Sequence, residues 1–199
     1  MATLDADLIF GDLRDALSAL QAARGSPKEV RRWFSRYVEL TQRLTSTMRK
    51  DFPRVKGAKW NASQFSGWND LTEFLKWLRN EEQHEHQLYI SVHERHFYRI
   101  DALGDRLLTF EGTWNLIDQM VDGPPMGITF HLIDPATGQP SETVVPPVRV
   151  EHQYVLQPRT DEATQWLRRL RIADVHVMAE QSFATLAEYH AFFHSQIDR

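Results

Sequence analysis

Apolar side chains recur at three- and four-residue intervals through the first 86 residues, the spacing that lines one face of an α-helix. Ile9 or Phe10, Leu13, Leu17 and Leu20 form the first stripe, and Gly25 offers a stop. Ser26, Pro27 and Glu29 then make a start signal. The serine can cap, the proline suits the first helical position, and the glutamate can reach back to close a capping box. Val30, Trp33, Phe34, Tyr37, Thr41, Leu44 and Met48 carry a second stripe, which Pro53 and Gly57 end. A linker over 56–66 contains Trp60 and Asn61. Beyond it Trp68, Leu71, Leu75 and Leu78 share one face of a third helix, with Phe74 beside them. Two long helices and a shorter one predict an antiparallel bundle.

Past Gln87 the period changes. Residues 88–100 are rich in β-branched and aromatic side chains, and 106–111, 127–133 and 144–156 are further strand candidates. Gly123, Pro124 and Pro125, and the run from Asp134 to Gly138, punctuate them as turns or loops. Pro146 and Pro147 place their strand at an edge or interrupt it. Residues 161–170, capped by Thr160, and 182–197 read as closing helices, while Arg171 and Ile172 lead into an expected strand. The pattern predicts an α+β fold: a helical bundle over 1–87, then a mixed β/α region over 88–199, separate or packed with the bundle as one unit.

Composition narrows the chemistry. The absence of cysteine removes disulfides, thiolate metal sites and cysteine nucleophiles, and fits a reducing cytoplasm. No apolar run reaches the ~20 residues of a membrane span, and the acidic start does not read as a signal peptide, so a cytoplasmic location is expected. The net charge of −4 does not favour an obligate nucleic-acid binder. Its distribution is uneven: from Arg24 to Lys59 eleven Lys and Arg face three acids (Glu29, Glu39, Asp51). Arg32, Arg36, Arg43 and Lys50 fall near one helical face, opposite the apolar one, where they could attract phosphates or simply face solvent. Trp60, Phe65, Trp68 and Trp77 could stack bases, although Trp68 and Trp77 fit core or interface positions better.

The stretch from Leu75 to His86 carries the most specific pattern. Arg79 is followed by the polar Asn80 and, five positions on, by His84, at the end of an amphipathic helix. An arginine keeps its charge and can bind two phosphate oxygens, while a histidine exchanges protons near neutral pH. The stretch resembles the signature of the HEPN superfamily, in which an arginine with a polar residue behind it precedes a histidine by four to six intervening residues within a bundle of long helices. The resemblance covers about residues 1–90. It implies metal-independent RNA cleavage of a toxin or phage-defence type, with no cofactor and no resident metal. Arg79 and His84 would be catalytic and Asn80 assisting, in a homodimer that could pair with an antitoxin protein. It equally allows a non-catalytic binding or regulatory module acting through dimer or partner contacts.

Three features compete with that assignment. Arg171 and Arg169 stand at the same kind of spacing from His176, so spacing alone does not single out the motif. On an unbroken helix five residues advance about 500°, which sets Arg79 and His84 about 140° apart and pairs Asn80 with His84 and Arg79 with His86. His86 is therefore the substitute for His84, and a bent helix end or a site shared across a dimer is expected. Finally, His84, His86, His93 and His96, with Glu85 and Glu94 among them, could ligate zinc, but no HExxH spacing occurs, and strand alternation would turn His93 and His96 to opposite faces. Glu81, Glu82 and Glu85 would raise a nearby histidine's pKa and repel RNA.

Overall fold

The computed structural model describes residues 4–84, 89–99, 107–115, 128–133, 140–145 and 148–198. They form an α+β fold of five α-helices, a short 3-10 turn and five strands in the order α1 (Asp5–Ala22), α2 (Pro27–Lys56), α3 (Asp70–His84), β1 (Ile90–Arg99), β2 (Leu107–Asn115), β3 (Ile128–Ile133), β4 (Pro140–Val145), β5 (Arg149–Leu156), α4 (Asp161–Leu170) and α5 (Val175–Ile197), with the 3-10 turn at Ala62–Gln64. The chain divides into two compact units, one made of 1–90 with 154–199 and the other of 91–153. The closing helices thus return to the unit of the N-terminal ones, where sequence patterning had put a boundary near residue 87. No helix among the described residues is long and apolar enough to cross a membrane.

The helical unit is built around α5. This helix packs against α1, α2 and α3 and buries Val175, Met178, Ala179, Leu186, Tyr189 and Phe193. It begins seven residues before the expected Ser182, because Asp174 supplies a strong cap: its carboxylate accepts the N–H groups of His176 (2.8 Å) and Val177 (3.1 Å). The strand expected after Arg171 is not there. Arg171 ends α4 in a left-handed conformation (φ 55°), and Asp174 makes a single bridge to Val155 before α5 starts. Two amphipathic helices complete the core, with Leu13 and Leu20 buried on α1 and Phe34, Tyr37, Leu44 and Met48 on α2. Tyr37 donates to the Ala179 carbonyl (2.9 Å) and meets Ser182 Oγ at 2.9 Å, so the buried hydroxyls linking α2 to α5 are satisfied.

Local start and stop signals hold in part. Pro27 occupies the first helical position of α2 and Gly57 closes the helix at φ 65°, but Pro53 is accommodated inside the last turns, and Ser26 makes no side-chain capping bond. Most of the linker is exposed, but it turns one residue inward. Trp60 is buried within an aromatic group with Phe52, Tyr189, Phe192 and Phe193, its indole N–H donating to the Tyr189 hydroxyl (2.8 Å), which removes it as a base-stacking platform. Trp68 precedes α3 and is half-buried against Phe65 and Tyr189.

In the strand unit β1 lies between β2 and β5, and β3 pairs with β4 alone. β1 and β2 are antiparallel, with Ser91 opposite Asn115 and Arg99 opposite Leu107; β3 and β4 are antiparallel from Ile128 opposite Val145 to Ile133 opposite Pro140. The single strand expected over 144–156 is two, β4 and β5, on either side of Pro146 and Pro147. A proline cannot donate to a ladder, so the break follows from its chemistry.

Candidate functional site

The Arg79 motif sits on the last turns of α3. That helix starts on a reciprocal cap, with Asn69 Oδ1 accepting the Thr72 N–H (3.1 Å) and Thr72 Oγ1 accepting the Asn69 N–H (3.2 Å). Its buried face is Leu71, Phe74, Leu75 and Leu78. Arg79 follows Leu78 at the edge of this face and is half-buried, while Asn80 is exposed. One guanidinium nitrogen of Arg79 donates to Asn80 Oδ1 at 3.4 Å; among the described residues its buried Nε has no hydrogen-bond partner and Arg79 makes no ion pair. The helix is continuous as far as His84, so positions 79 and 84 stand about 140° apart around its axis. The side chain of His84 and the whole of His86 lie outside the described residues.

A small cleft adjoins this turn. Trp77, Leu78 and Glu81 of α3 line it together with Tyr89, Arg159 and Leu167. Arg159 places its guanidinium over the Tyr89 ring, a cation–π contact that holds a second positive charge near the motif.

The basic face of α2 is partly neutralised from within. Arg32 lies 3.6 Å from Glu29 and Arg36 lies 2.8 Å from Glu39, each one turn away, whereas Arg43 and Lys50 are exposed and make no ion pair among the described residues. Exposed pairs of this kind are weak, so they reduce the field of the stripe without removing it.

The histidines with described side chains fall into three separate settings. Of His84, His86, His93 and His96, the rival metal set, only His93 and His96 have described side chains. Residues 90–99 form a strand, so His93 and His96 alternate to opposite faces. Glu94, two residues from His96, shares its face instead and receives His96 Nε2 (2.9 Å) and His152 Nε2 of β5 (3.0 Å) on its two oxygens. His176, the partner in the competing Arg171 and Arg169 spacing, is a core residue. It is 4 % exposed, its Nε2 lies 3.2 Å from the Leu20 carbonyl and its ring packs on Tyr154, which excludes it from contact with RNA.

The third setting was missed from sequence because its members are 183 residues apart. Asp7, in the first turn of α1, receives His190 Nε2 (2.9 Å) and His194 Nε2 (2.7 Å) on one oxygen, Oδ1. Its other oxygen accepts the Leu4 N–H (3.2 Å). The start of α1 is fixed from α2, where the buried Asp51 accepts the Ala6 N–H at 2.8 Å. His190 and His194 stand four apart on α5 and so share a face. Phe10 stacks on His190 with centroids 4.2 Å apart and planes 6° from parallel. Burial pushes the Asp7 pKa up, but the hydrogen bonds from His194, the Leu4 backbone and His190 outweigh it and hold the carboxyl below its ordinary value. Burial lowers the His190 pKa, with Asp7 opposing in part. The signal available in sequence was the His-x-x-x-His spacing at 190 and 194, without its third member. No protein-family model, curated protein or solved structure matches the chain.

Proposed function

We propose that the chain is a metal-independent endoribonuclease of the toxin or phage-defence type, with a HEPN-like helical unit and its active site at the end of α3. The observation that carries this reading is the state of Arg79: a half-buried guanidinium at the edge of a well-anchored helix, with an unpartnered buried Nε and no ion pair among the described residues. A cation so placed retains its capacity to bind a phosphate, and in a partly desolvated setting that attraction is stronger than at an open surface. In the reaction His84 takes the proton of a ribose 2′-OH, and the 2′ oxygen bonds to the adjacent phosphorus. Arg79 stabilises the charge on the phosphoryl oxygens, and the bond to the 5′ oxygen breaks as that oxygen takes a proton from water, giving a 2′,3′-cyclic phosphate and a 5′-hydroxyl. Asn80, beside Arg79 and four residues before His84, orients the pair. Because α3 is continuous to His84, Arg79 of one protomer acts with His84 of a second across a homodimer; His86, outside the described residues, is the substitute. Arg43 and Lys50 contribute most of the attraction of α2 for RNA, and an antitoxin protein would cover this face in a cytoplasmic setting.

The test is incubation of the purified protein with single-stranded and structured RNA in EDTA, beside Arg79→Ala and His84→Ala. Loss of cleavage in both variants, with cyclic phosphate ends from the parent, is expected. Cleavage at parental rate by both variants would remove the assignment.

A non-catalytic binding module is the second reading. The pairing of Arg32 with Glu29 and of Arg36 with Glu39 favours it, because those cations are already engaged within the helix. RNA or protein capture without cleavage of any RNA would select it.

A further inference from the structure

Asp7, His190 and His194 form the one group among the described residues whose carboxylate and imidazole atoms all lie within 4.8 Å of one another. Their chemistry is that of a transition-metal site: two imidazole nitrogens and one carboxylate oxygen, the donor set that zinc and its neighbours accept, with the two histidines at the four-residue helical spacing that presents both Nε2 atoms to one point. We propose that this group binds a zinc-class divalent ion, clamping the start of α1 to the end of α5 and leaving one coordination position open to water or a ligand.

The geometry needs little adjustment. Tetrahedral ligation at the usual zinc distances sets neighbouring ligand atoms roughly 3.3 Å apart. The two Oδ1 to Nε2 distances are 2.9 and 2.7 Å. Side-chain rotations that open each by about half an ångström admit the ion, and its binding replaces the two Nε2–H protons. The surroundings already orient the ligands. The Leu4 N–H holds the second oxygen of Asp7, and the buried Asp51 holds the Ala6 N–H, so one contact fixes the carboxylate and the other the helix start that carries it. Phe10 lies flat on His190, and Phe193 meets His194 at 85° with centroids 5.6 Å apart. The side chains are 30 %, 16 % and 33 % exposed for Asp7, His190 and His194, so an ion can enter and the fourth position faces solvent. His194 lies in the last turn of α5, where the exposed carbonyls favour positive charge.

The other convergent set, Glu94 with His96 and His152, differs in kind. There the two histidines take opposite oxygens of one carboxylate, so it bridges them rather than joining them in a chelate.

The 199-residue chain, stripped with chelator and exchanged into chelator-free buffer, is titrated with Zn²⁺ by calorimetry and with Co²⁺ by visible absorption, and its thermal midpoint is followed with and without Zn²⁺. Expected are one ion per chain, cobalt bands of a nitrogen and oxygen site, and a raised midpoint. His190→Gln and His194→Gln should each weaken binding at least about a hundredfold, since loss of mere outer-shell partners costs ten- to a hundredfold. Asp7→Asn keeps an acceptor for the Leu4 N–H, so it folds if the helix start matters and still weakens binding. His96→Gln with His152→Gln should bind as the parent does. Absence of binding by the parent, or binding kept in both His190 and His194 variants and lost in the His96 and His152 variant, would overturn the proposal.

Discussion

Replacing Asp174 by alanine isolates the contact that starts the central helix. Its carboxylate accepts two backbone N–H groups at 2.8 and 3.1 Å at the head of the 23-residue α5, and its side chain is 17 % exposed. Loss of such a cap costs about 0.5–2 kcal/mol, and a charged acceptor near a helix N-terminus adds about 0.3–1 kcal/mol. The low exposure and the paired short bonds place the total near 2 kcal/mol. Asparagine keeps the acceptor and loses the charge, so Asp174→Asn should cost only about 0.5 kcal/mol. Burial pushes the Asp174 pKa up, yet the His176 side chain and the two backbone N–H groups outweigh it, and the carboxyl titrates below its ordinary 3.8 in the folded protein. Its contribution is therefore fully present above pH 3.8 and is lost as the pH falls through the lower folded value. Urea unfolding followed by tryptophan fluorescence reads this unit, which holds five of the six tryptophans. With a slope near 2 kcal/mol/M, the alanine midpoint should fall by about 1 M at pH 7, and the gap between parent and variant should narrow below pH 3.8. Equal midpoints for asparagine and alanine, or a gap independent of pH, would refute the argument.

Further outcomes follow from single contacts. Trp60→Phe removes the donor to the Tyr189 hydroxyl in an aromatic core and should lower stability by about 1–2 kcal/mol in the same urea assay. Asp51→Ala strips the Ala6 N–H of its buried acceptor and should cost about 2–3 kcal/mol, with Asp51→Asn recovering much of it. Arg43→Gln and Lys50→Gln should each reduce the salt slope of RNA binding by about 0.7, measured by filter binding across salt, whereas Arg32→Gln, already paired with Glu29, should change it less. Arg79→Lys keeps the charge and loses the planar fork, and should slow RNA cleavage by about a hundredfold.

What could be read from sequence was local. The stripes of α1, α2 and α3 repeat over several turns, and α4 lies where Thr160 and its acidic first turn place it, because capping and amphipathicity are properties of adjacent residues. α5 was half-read for the opposite reason. Its exposed stripe itself carries Val177, Ala184 and Ala191, so apolar residues show little contrast between faces, and His176, Ser182 and Thr185 are buried as satisfied polar groups that blur the pattern further. The strand break at Pro146 and Pro147 was legible as an interruption, but β4 has too little alternation to announce itself before it. Arg79 and Asn80 were legible because motif and helix coincide. Asp7 with His190 and His194 was not, because no local period links the first turn of α1 to the last turns of α5.

That long-range closure also sets the relation between the two candidate sites of the helical unit. The end of α3 and the segment leading into α5 both flank residues 156–160: Gln157 donates to the Tyr89 carbonyl, Leu156 donates to the Ala173 carbonyl, and Glu81 and Tyr89 line one cleft with residues 156–160. From Asp174 to His190 is sixteen residues of helix, about 24 Å at 1.5 Å per residue. An ion held by His190 and His194 is therefore too far from Arg79 to touch a phosphate bound there. At that separation an exposed charge is screened across more than two Debye lengths at physiological salt. Chelation should act on the closure of α1 against α5 and leave the α3 chemistry unchanged, so a cleavage rate in EDTA and a zinc isotherm report on different ends of one helix. α5 carries two of the three proposed ligands and packs against α1, α2 and α3, which makes its rigidity, set by the Asp174 cap at one end and the Asp7 contacts at the other, one route by which either site could influence the other.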